Sequence, residues 1–525
     1  MRVDSTLAIQ RQLVAALQDP ARYPYPVGSV RLIETHISFV LLTGVFAYKI
    51  KKAVDLGFVD YTRLEQRHFF CDEELRLNRR LAPQLYLEAV PICGTPQDPR
   101  FDTGGTPIEW AVKMAEFEQP ALLDHVLARN GLTANHVAAL ATTLAQFHNT
   151  APAVDPAETH GDPATVWAPV EANFTHFRAH PCAHTAQIAA LESWCGREFD
   201  RLRQMFIQRK AAGFVRECHG DLHLGNIVLA DGAPLVFDCI EFNPELRWID
   251  IVCDLAFLVM DLSAHGRADY AWRLLNGWLE ETGDYAALAL LPFYQVYRAL
   301  VRAKVAHLRA LDDNTADAER QASLAKLAAY LDYACAVIAP RPGALLITHG
   351  FSGSGKSTLA RAVAETLGAV CLRSDVERKR LHSLAPLAQS GSAIDAGLYL
   401  ESATLATYQH LATLADSMLG AGYSVIVDAA CLQRGQRDRF HDLARQAGVP
   451  FLILDCTAPP ETLQQRLNTR SGDPSEASVA VLARQYQRAD PLSQDERDFT
   501  LAIDTAREAP ATILAEIRQR IQRAG

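Results

Sequence analysis

The sequence predicts a mixed α/β protein in two parts, an α+β part followed by a part built on a doubly wound parallel sheet. Three observations support this fold class. β-branched and aromatic runs dominate the first hundred residues and then give way to helical patterns. From residue 345 onward, short apolar runs alternate with helical segments, as in parallel sheets whose strands are joined by helices. A proline-rich turn at 339–343 separates the two patterns.

The elements of the first part are predicted from periodicity and turn residues. They are a helix over 4–17, strands over 35–42 and 45–50, a helix over 72–81, an extended segment over 85–92, helices within 121–311 and a helix over 316–338. Asp19-Pro20 closes the first helix, Thr43-Gly44 joins the two strands as a hairpin, and Pro83 stops the second helix.

The second part is predicted to contain four apolar strands, at 345–348, 369–372, 425–427 and 451–454. A helix from Lys356 to Leu367 is expected to stop at Gly368, because glycine adopts the left-handed conformation at little cost. In such sheets, ligands bind beyond the carboxyl ends of the strands.

The composition is that of a globular protein that can bury large cores. Of the 525 residues, 49% are hydrophobic and 21% are charged. Apolar runs stay below the roughly 18 residues that a membrane-spanning helix needs. The eleven cysteines form no Cys-x-x-Cys pair, so neither a zinc site nor a disulfide framework is indicated. Because the start lacks a signal-peptide segment, we expect a cytoplasmic protein without membrane association.

Charge is distributed unevenly along the chain. From residue 340 onward, basic and acidic residues balance at 20 each, so the net charge of −10 lies in the preceding part. An acidic surface opposes attraction to DNA, RNA and anionic membranes. The sequence therefore disfavours a nucleic-acid partner.

A first cluster of polar residues lies before the middle of the chain. The run His219-Gly220-Asp221-Leu222-His223-Leu224-Gly225-Asn226 is followed by the apolar residues 235–237 and then by Asp238. Phosphoryl transfer to a hydroxyl needs a carboxylate that accepts the hydroxyl proton, and Asp221 is the candidate. Mg²⁺ prefers oxygen ligands, which Asn226 and Asp238 can supply. We expect a site for nucleotide and Mg²⁺ here.

This cluster resembles the aminoglycoside phosphotransferase branch of the protein-kinase-like superfamily, as does the later run Trp248–Ala256. The resemblance implies a two-lobed, kinase-like fold over about 30–333. It also implies that Lys49, in Val45-Phe46-Ala47-Tyr48-Lys49, holds the α- and β-phosphates of ATP, and that Glu74 pairs with this lysine.

Two assignments in this resemblance stay open, and one part of the pattern is missing. Lys51 shares the strand face of Lys49, and Glu73 is the neighbour and rival of Glu74, so geometry alone does not choose between them. A hinge that binds adenine is expected at 109–114. No Gly-x-Gly-x-x-Gly loop precedes Lys49, so this part of the sequence does not predict a tight enclosure of ATP.

A second motif stands between a predicted strand and a predicted helix, Gly350-Phe351-Ser352-Gly353-Ser354-Gly355-Lys356-Ser357-Thr358. Backbone N–H groups of such a P-loop converge on the β-phosphate, and the helix directs its positive N-terminus there. Lys356 is expected to neutralise the β- and γ-phosphate oxygens, and the Ser357 hydroxyl to bind Mg²⁺. The whole motif is therefore expected to bind ATP.

The chain beyond this motif resembles the P-loop small-molecule kinases, including gluconate, adenylylsulfate and polynucleotide kinases and related toxin kinases, with an AAA-type ATP-binding core. In this comparison Asp375 accepts the acceptor's hydroxyl proton and Arg378 holds an anionic part of the acceptor. Asp428, at the end of its strand, orients water on Mg²⁺. Arg470 closes on the transferring phosphate as a lid residue.

Simpler interpretations of these residues stay open. Asp375 fits a helix N-cap, and Arg466 and Arg470 fit a solvated helix face. Arg434 and Arg437 are candidate contacts of the acceptor.

The predicted domains are an N-terminal helix (1–24), a kinase-like domain (25–339, with lobes 25–115 and 116–339) and a P-loop kinase domain (343–525). The predicted function is that of a bifunctional, ATP- and Mg²⁺-dependent phosphotransferase acting on a hydroxyl of a small molecule. In one alternative, the kinase-like half is a regulatory or binding module that controls the P-loop half. In another, the protein is a toxin-like polynucleotide or nucleotide-sugar kinase. The acceptor and the oligomeric state stay open.

Overall fold

The structure is a computed structural model that describes residues 2–57, 59–101, 104–340, 343–388, 398, 400–469, 473–507 and 510–524. The chain divides into two compact units. The first consists of Met1–Ala139, Gln146–Ala172 and Phe199–Leu258, and the second consists of Leu140–Ala145, Asn173–Glu198 and Val259–Gly525. The predicted domain limits at 25–339 and 343–525 remain a prediction.

The strands of the described residues are, in chain order, β1 (Arg31–Glu34), β2 (Ser38–Leu42), β3 (Phe46–Lys51), β4 (Tyr86–Thr95), β5 (Asp98–Arg100), β6 (Pro107–Ala115), β7 (Val215–Glu217), β8 (Ile227–Ala230), β9 (Ala233–Val236), β10 (Trp248–Asp250), β11 (Leu345–His349), β12 (Ala369–Arg373), β13 (Ser424–Asp428), β14 (Phe451–Thr457) and β15 (Thr500–Asp504). The helices are α1 (Arg2–Ala16), α2 (Leu64–Asn78), α3 (Leu123–Ala128), α4 (Ala134–Thr150), α5 (Pro163–Ala179), α6 (Thr185–Ala211), α7 (Pro244–Arg247), α8 (Ile251–Ala264), α9 (Ala268–Thr282), α10 (Leu291–Leu311), α11 (Asp317–Ile338), α12 (Lys356–Leu367), α13 (Ser374–Leu381), α14 (Glu401–Gly420), α15 (Arg434–Ala447), α16 (Pro460–Thr469), α17 (Val479–Arg488) and α18 (Pro510–Ala524). None of these helices is both long enough and apolar enough to cross a membrane.

The first unit contains a six-stranded sheet in the order β1-β2-β3-β6-β4-β5, with antiparallel neighbours. Side chains of a strand alternate between the two faces of a sheet. Tyr48 and Ile50 of β3 pack with α1 in one apolar core, whereas Ala47 packs with α2 in the other. Lys49 and Lys51 alternate in step with Ala47 and therefore lie on the face that α2 covers.

The structure confirms the hairpin predicted at Thr43-Gly44 as the turn between β2 and β3. The helix predicted over 72–81 was placed too late in the sequence, since α2 begins at Leu64. At this end the Gln66 side chain accepts a hydrogen bond from the N–H of Arg63 at 3.4 Å. The prediction was guided by Pro83, which marks the end of the helix. A glutamine that caps the start of a helix is a weaker sequence signal.

The hinge predicted at 109–114 is wrong. These residues form most of β6, which pairs with β3 on one side and with β4 on the other. In an interior strand the backbone N–H and C=O groups are already paired with neighbouring strands. They are therefore not available to bind adenine.

A short hairpin in the first unit brings two predicted metal ligands together. β8 and β9 pair in antiparallel register, with Ile227 opposite Val236. Asn226 comes directly before β8, and Asp238 follows β9 after Phe237, whose N–H donates to the Asn226 carbonyl at 2.9 Å. The open end of the hairpin therefore carries both side chains.

The second unit contains a five-stranded parallel sheet in the order β12-β13-β11-β14-β15. Leu346 packs with residues of α12 and α18 on one face, and the alternate residues Leu345 and Ile347 are fully buried as well. The sheet is thus covered on both faces, and the predicted doubly wound parallel sheet is confirmed. The helix predicted from Lys356 to Leu367 is confirmed, and Gly368 ends it in the left-handed conformation at φ 71°.

Candidate functional sites

The first candidate site contains an ion-paired lysine. Lys49 Nζ donates to Glu74 Oε1 at 2.8 Å and to Asp238 Oδ1 at 2.6 Å. Glu73 instead pairs with Arg76 and Arg247, which favours Glu74 over its neighbour. Burial alone would raise the pKa of Glu74, but the ammonium groups of its lysine partners lower that pKa to about 2. The structure thus brings Lys49, Glu74 and Asp238 together.

Lys51 also pairs with Glu74, a contact that the sequence analysis did not predict. Its Nζ donates to Glu74 Oε2 at 2.7 Å and also to Glu241, whose carboxylate accepts from the Tyr61 hydroxyl at 2.7 Å. The Lys51 side chain is fully buried, whereas 15% of the Lys49 side chain is exposed. Of the two lysines, Lys49 is therefore the one that a ligand can reach.

Asp221 and Asn226 lie together in the loop between β7 and β8. The Asn226 side-chain nitrogen donates to the backbone carbonyl of Asp221 at 2.9 Å and to Asp221 Oδ2 at 3.0 Å. Both amide hydrogens are thus engaged, which leaves Asn226 Oδ1 as the oxygen that can bind a cation. The Asp221 side chain is 38% exposed, so a hydroxyl can approach its carboxylate.

Asp254 fixes the backbone of this loop through hydrogen bonds. Its carboxylate accepts the backbone N–H groups of His219 at 3.0 Å and Gly220 at 2.9 Å, and it lies 3.2 Å from His148 Nε2. Burial alone would raise the pKa of Asp254, but the hydrogen bond with His148 lowers it to about 2. Cys218 joins His148 and Asp254 within 4.8 Å, yet the Asp254 oxygens are already occupied by hydrogen bonds. The cluster therefore supports the loop.

The second candidate site is the glycine-rich loop between β11 and α12. Gly350 and Gly353 have φ of 133° and 86°, and a Cβ at either would collide with the backbone carbonyl of Cys456 or Leu463. The Ser354 hydroxyl oxygen is buried and has no hydrogen-bond partner in the described part of the chain. A tight loop with an unused polar atom fits a phosphate group.

Helix α12 begins directly after the same loop. The helix follows Gly355, which has φ of 88° and provides no capping side chain. Lys356 is the first helical residue, and its Nζ donates to the Phe351 carbonyl at 2.8 Å. Ser357 is half-buried and Thr358 is exposed in the same first turn. The uncapped backbone N–H groups make this end favourable for an anion.

Three residues that the sequence did not connect with the loop hold it in place. The Gln485 side chain accepts from the Ser352 N–H at 2.8 Å. Arg466 Nη1 donates to the Gly353 carbonyl at 3.2 Å and to the Thr505 hydroxyl at 3.0 Å. The interpretation of Arg466 as part of a solvated helix face is therefore wrong. These contacts are long-range in sequence, and no local pattern marks them.

Asp428 is the last residue of β13, which pairs with β11, the strand that leads into the glycine-rich loop. Its role at Mg²⁺ stays a prediction. Its side chain is 5% exposed and lies 3.5 Å from Arg373 Nε. Asp375 lies in the first turn of α13, which begins at Ser374 with Arg373 as its N-cap. The interpretation of Asp375 as the N-cap is therefore wrong.

Two further arginines were predicted at this site, Arg378 as a contact of the acceptor and Arg470 as a lid residue. Arg378 is buried, and its Nη1 donates to the Leu398 carbonyl and the Thr404 hydroxyl, each at 3.1 Å. Arg470 lies outside the described residues. Their roles at the acceptor and as a lid stay predictions.

Arg437 is a structural residue, and the prediction that it contacts the acceptor is wrong. Its side chain is 1% exposed and forms a two-pronged ion pair with Glu496, at 2.6 Å and 3.1 Å. Arg434, three residues earlier, pairs with the exposed Asp495 on the surface. The sequence places both arginines on α15 but does not distinguish the buried one.

We expect Arg437→Gln to lower the free energy of unfolding by about 3–5 kcal/mol, because it leaves the Glu496 carboxylate buried without its partner. Urea denaturation measures this change. Arg434→Gln is the matched control and is expected to leave the free energy of unfolding nearly unchanged, since its pair with Asp495 is exposed to solvent. Equal stability of both variants, with a raised KM for an acceptor in Arg437→Gln, would restore the acceptor-contact interpretation.

Comparisons with known proteins match two separate regions of the chain. The phosphotransferase enzyme family matches residues 66–291, and the AAA domain family matches residues 345–492. An uncharacterized protein of Mycobacterium tuberculosis is 32% identical over 478 residues, which make up 90% of this chain and 92% of that protein. Among solved structures, an amicoumacin kinase in complex with AMP-PNP is 15% identical with a TM-score of 0.38, covering 62% of this chain and 93% of that one. A sugar kinase from Janibacter sp. is 23% identical with a TM-score of 0.28, covering 34% of this chain and 95% of that one.

Proposed function

We propose that this chain is an ATP-dependent kinase with two nucleotide sites. It belongs to the same family as its Mycobacterium tuberculosis relative, and separate regions of it match the phosphotransferase enzyme family and the AAA domain family. In this proposal it transfers the γ-phosphoryl group of ATP to a hydroxyl of a small-molecule acceptor in the cytoplasm. One observation carries the proposal: each half places a lysine at a candidate phosphate site. Lys49 is ion-paired with Glu74 and Asp238, and Lys356 begins α12 and donates to the glycine-rich loop before it.

At the first site, the chain's own residues would position the reactants and accept a proton. Lys49, oriented by Glu74, would bind phosphate oxygens of ATP. Asp221 would accept the proton of the acceptor hydroxyl, and Asn226 keeps the Asp221 carboxylate in place through its amide. Positioning of this kind supplies most of the catalysis in phosphoryl transfer.

At the second site, the uncapped backbone N–H groups at the N-terminus of α12, next to the glycine-rich loop, would bind the β-phosphate. Lys356 would exchange its bond with the Phe351 carbonyl for the phosphate oxygens. Asp375 would accept the acceptor's proton, with Arg378 and Arg470 as the proposed contacts of acceptor and phosphate.

The residues present fit Mg²⁺ at both sites. Asn226 Oδ1 and the 42% exposed Asp238 carboxylate would hold it in the first, and the Ser357 hydroxyl and Asp428 in the second. Bound there, Mg²⁺ would neutralise charge on the phosphate oxygens.

A phosphorylation screen of a metabolite library with wild type, Asp221→Ala and Lys356→Ala tests the proposal. We expect at least one hydroxyl compound to be phosphorylated, with its labelling lost in one of the two variants. Labelling of 5′-hydroxyl oligonucleotides alone would instead identify a polynucleotide kinase. Absence of ATP-dependent labelling of every compound would contradict the proposal.

A second candidate function for the first half is that of a regulatory binding module. One observation favours it: the turn before Lys49 contains only Thr43-Gly44, and the Gly44 N–H already donates to Glu116 Oε2 at 2.7 Å. That backbone group is thus engaged by the protein itself. Under this alternative, an Asp221→Asn variant binds ATP and keeps all phosphorylation activity.

A further inference from the structure

Helix α9 covers the edge of the parallel sheet in the second unit. β12 is the edge strand of this sheet, and one side chain of α9 forms hydrogen bonds with two of its backbone groups. Asn276 Oδ1 accepts from the Cys371 N–H at 2.8 Å, and Asn276 Nδ2 donates to the Ala369 carbonyl at 3.0 Å. A covered edge is protected from pairing with another strand. The side chain therefore fixes α9 in register with β12.

Further contacts lock the same helix to the sheet. The indole of Trp272 lies against Gly368, where a Cβ would approach the indole nitrogen to 2.8 Å. Arg273 forms an ion pair with Glu365 of α12 at 2.9 Å. Residues 66–291, which include α9, match the phosphotransferase enzyme family, whereas β12 and α12 lie in the AAA match. The two matched regions thus share one packed interface.

The last turn of α9 reaches the end of β12. Glu280 Oε1 accepts from Arg373 Nη1 at 2.8 Å. The same guanidinium lies 3.5 Å from Asp428 and 3.5 Å from Asp473. A charged hydrogen bond is about 2.7–2.9 Å long, so Glu280 is the firmly bound partner and the two aspartates are looser ones.

From this geometry we infer that Glu280 is a positioning residue that holds Arg373 away from Asp428. A guanidinium released from Glu280 would move onto Asp428, the nearest buried carboxylate, and its charge would oppose a divalent cation there. Glu280 therefore keeps Asp428 available for Mg²⁺. A residue from the phosphotransferase-family region thus tunes the glycine-rich loop site of the AAA region. This inference rests on the proposed nucleotide site at that loop.

Calorimetric titration of the full chain with ATP, in Mg²⁺ and in EDTA, tests this inference. The binding that Lys356→Ala removes reports the glycine-rich loop site. We expect Glu280→Gln to lower the ratio of ATP affinity in Mg²⁺ to that in EDTA by about ten-fold. Adding Arg373→Gln to this variant is expected to restore the ratio, because the competing charge is gone. A merely structural role for Glu280 would not produce that recovery.

Arg273→Gln is the matched control. It breaks an ion pair of the same interface that involves neither Arg373 nor Asp428, so it should leave the ratio unchanged. An unchanged ratio in Glu280→Gln, an equal loss in Arg273→Gln, or no recovery in the double variant would overturn the inference.

If Glu280→Gln does not fold, the single variant Arg373→Gln provides the test through its own ratio of ATP affinities. A ratio at or above that of wild type supports the inference, and a lower ratio contradicts it. Wild type without Lys356-dependent binding would instead refute the nucleotide site itself.

Discussion

Lys356→Ala is expected to lower phosphoryl transfer at the glycine-rich loop by about 10²–10³-fold, the usual cost of removing one group that stabilises developing charge. Lys356 begins α12 and has its Nζ within 2.8 Å of the loop carbonyl of Phe351. No other lysine lies in the motif 350–358 to replace its charge. Steady-state kinetics with the acceptor found by screening measures the effect.

Arg361→Ala is the control for this substitution, because Arg361 is an exposed cation of the same helix. We expect its kinetics to equal those of wild type. A Lys356→Ala variant with unchanged kcat and KM for ATP would show that transfer takes place elsewhere.

Asp221→Asn is expected to lower the turnover of the first site by about 10²–10⁴-fold, the contribution of a positioned general base. Asparagine keeps the shape of the side chain, and its oxygen still accepts the hydrogen bond that Asn226 donates to Asp221. The variant should therefore fold normally and bind ATP with nearly unchanged affinity. Its kcat falls because the amide cannot accept the acceptor's proton. Single-turnover kinetics separates this step from binding.

Asp231→Asn controls for the lost negative charge. Asp231 is exposed in the turn between β8 and β9 at φ of 50°, a conformation that asparagine tolerates. Full activity in Asp221→Asn with tight ATP binding would favour the regulatory interpretation of this half.

The sequence was informative where function depends on local runs. The glycine-rich loop, α12 and its stop at Gly368 were predicted because their signals lie within about twenty residues. Asn226 and Asp238 were predicted together because both lie in one short run of the sequence, and the structure joins them through the hairpin of β8 and β9.

The sequence was uninformative where partners are distant. Lys51 resembles Lys49 in pattern, and only the fold shows that Lys51 is enclosed with Glu241. Arg437 and Arg434 differ only in which side of α15 is covered. The pairing of Glu280 with Arg373 joins two regions whose patterns are unrelated.

The most direct test of the two-site proposal is the number of ATP molecules bound per chain, measured by calorimetry in Mg²⁺ buffer with wild type and Lys356→Ala. We predict two for the wild-type chain and one for the variant, with the remaining site lost on further substitution of Asp238. The same number in both proteins, or no binding in either, would contradict the proposal.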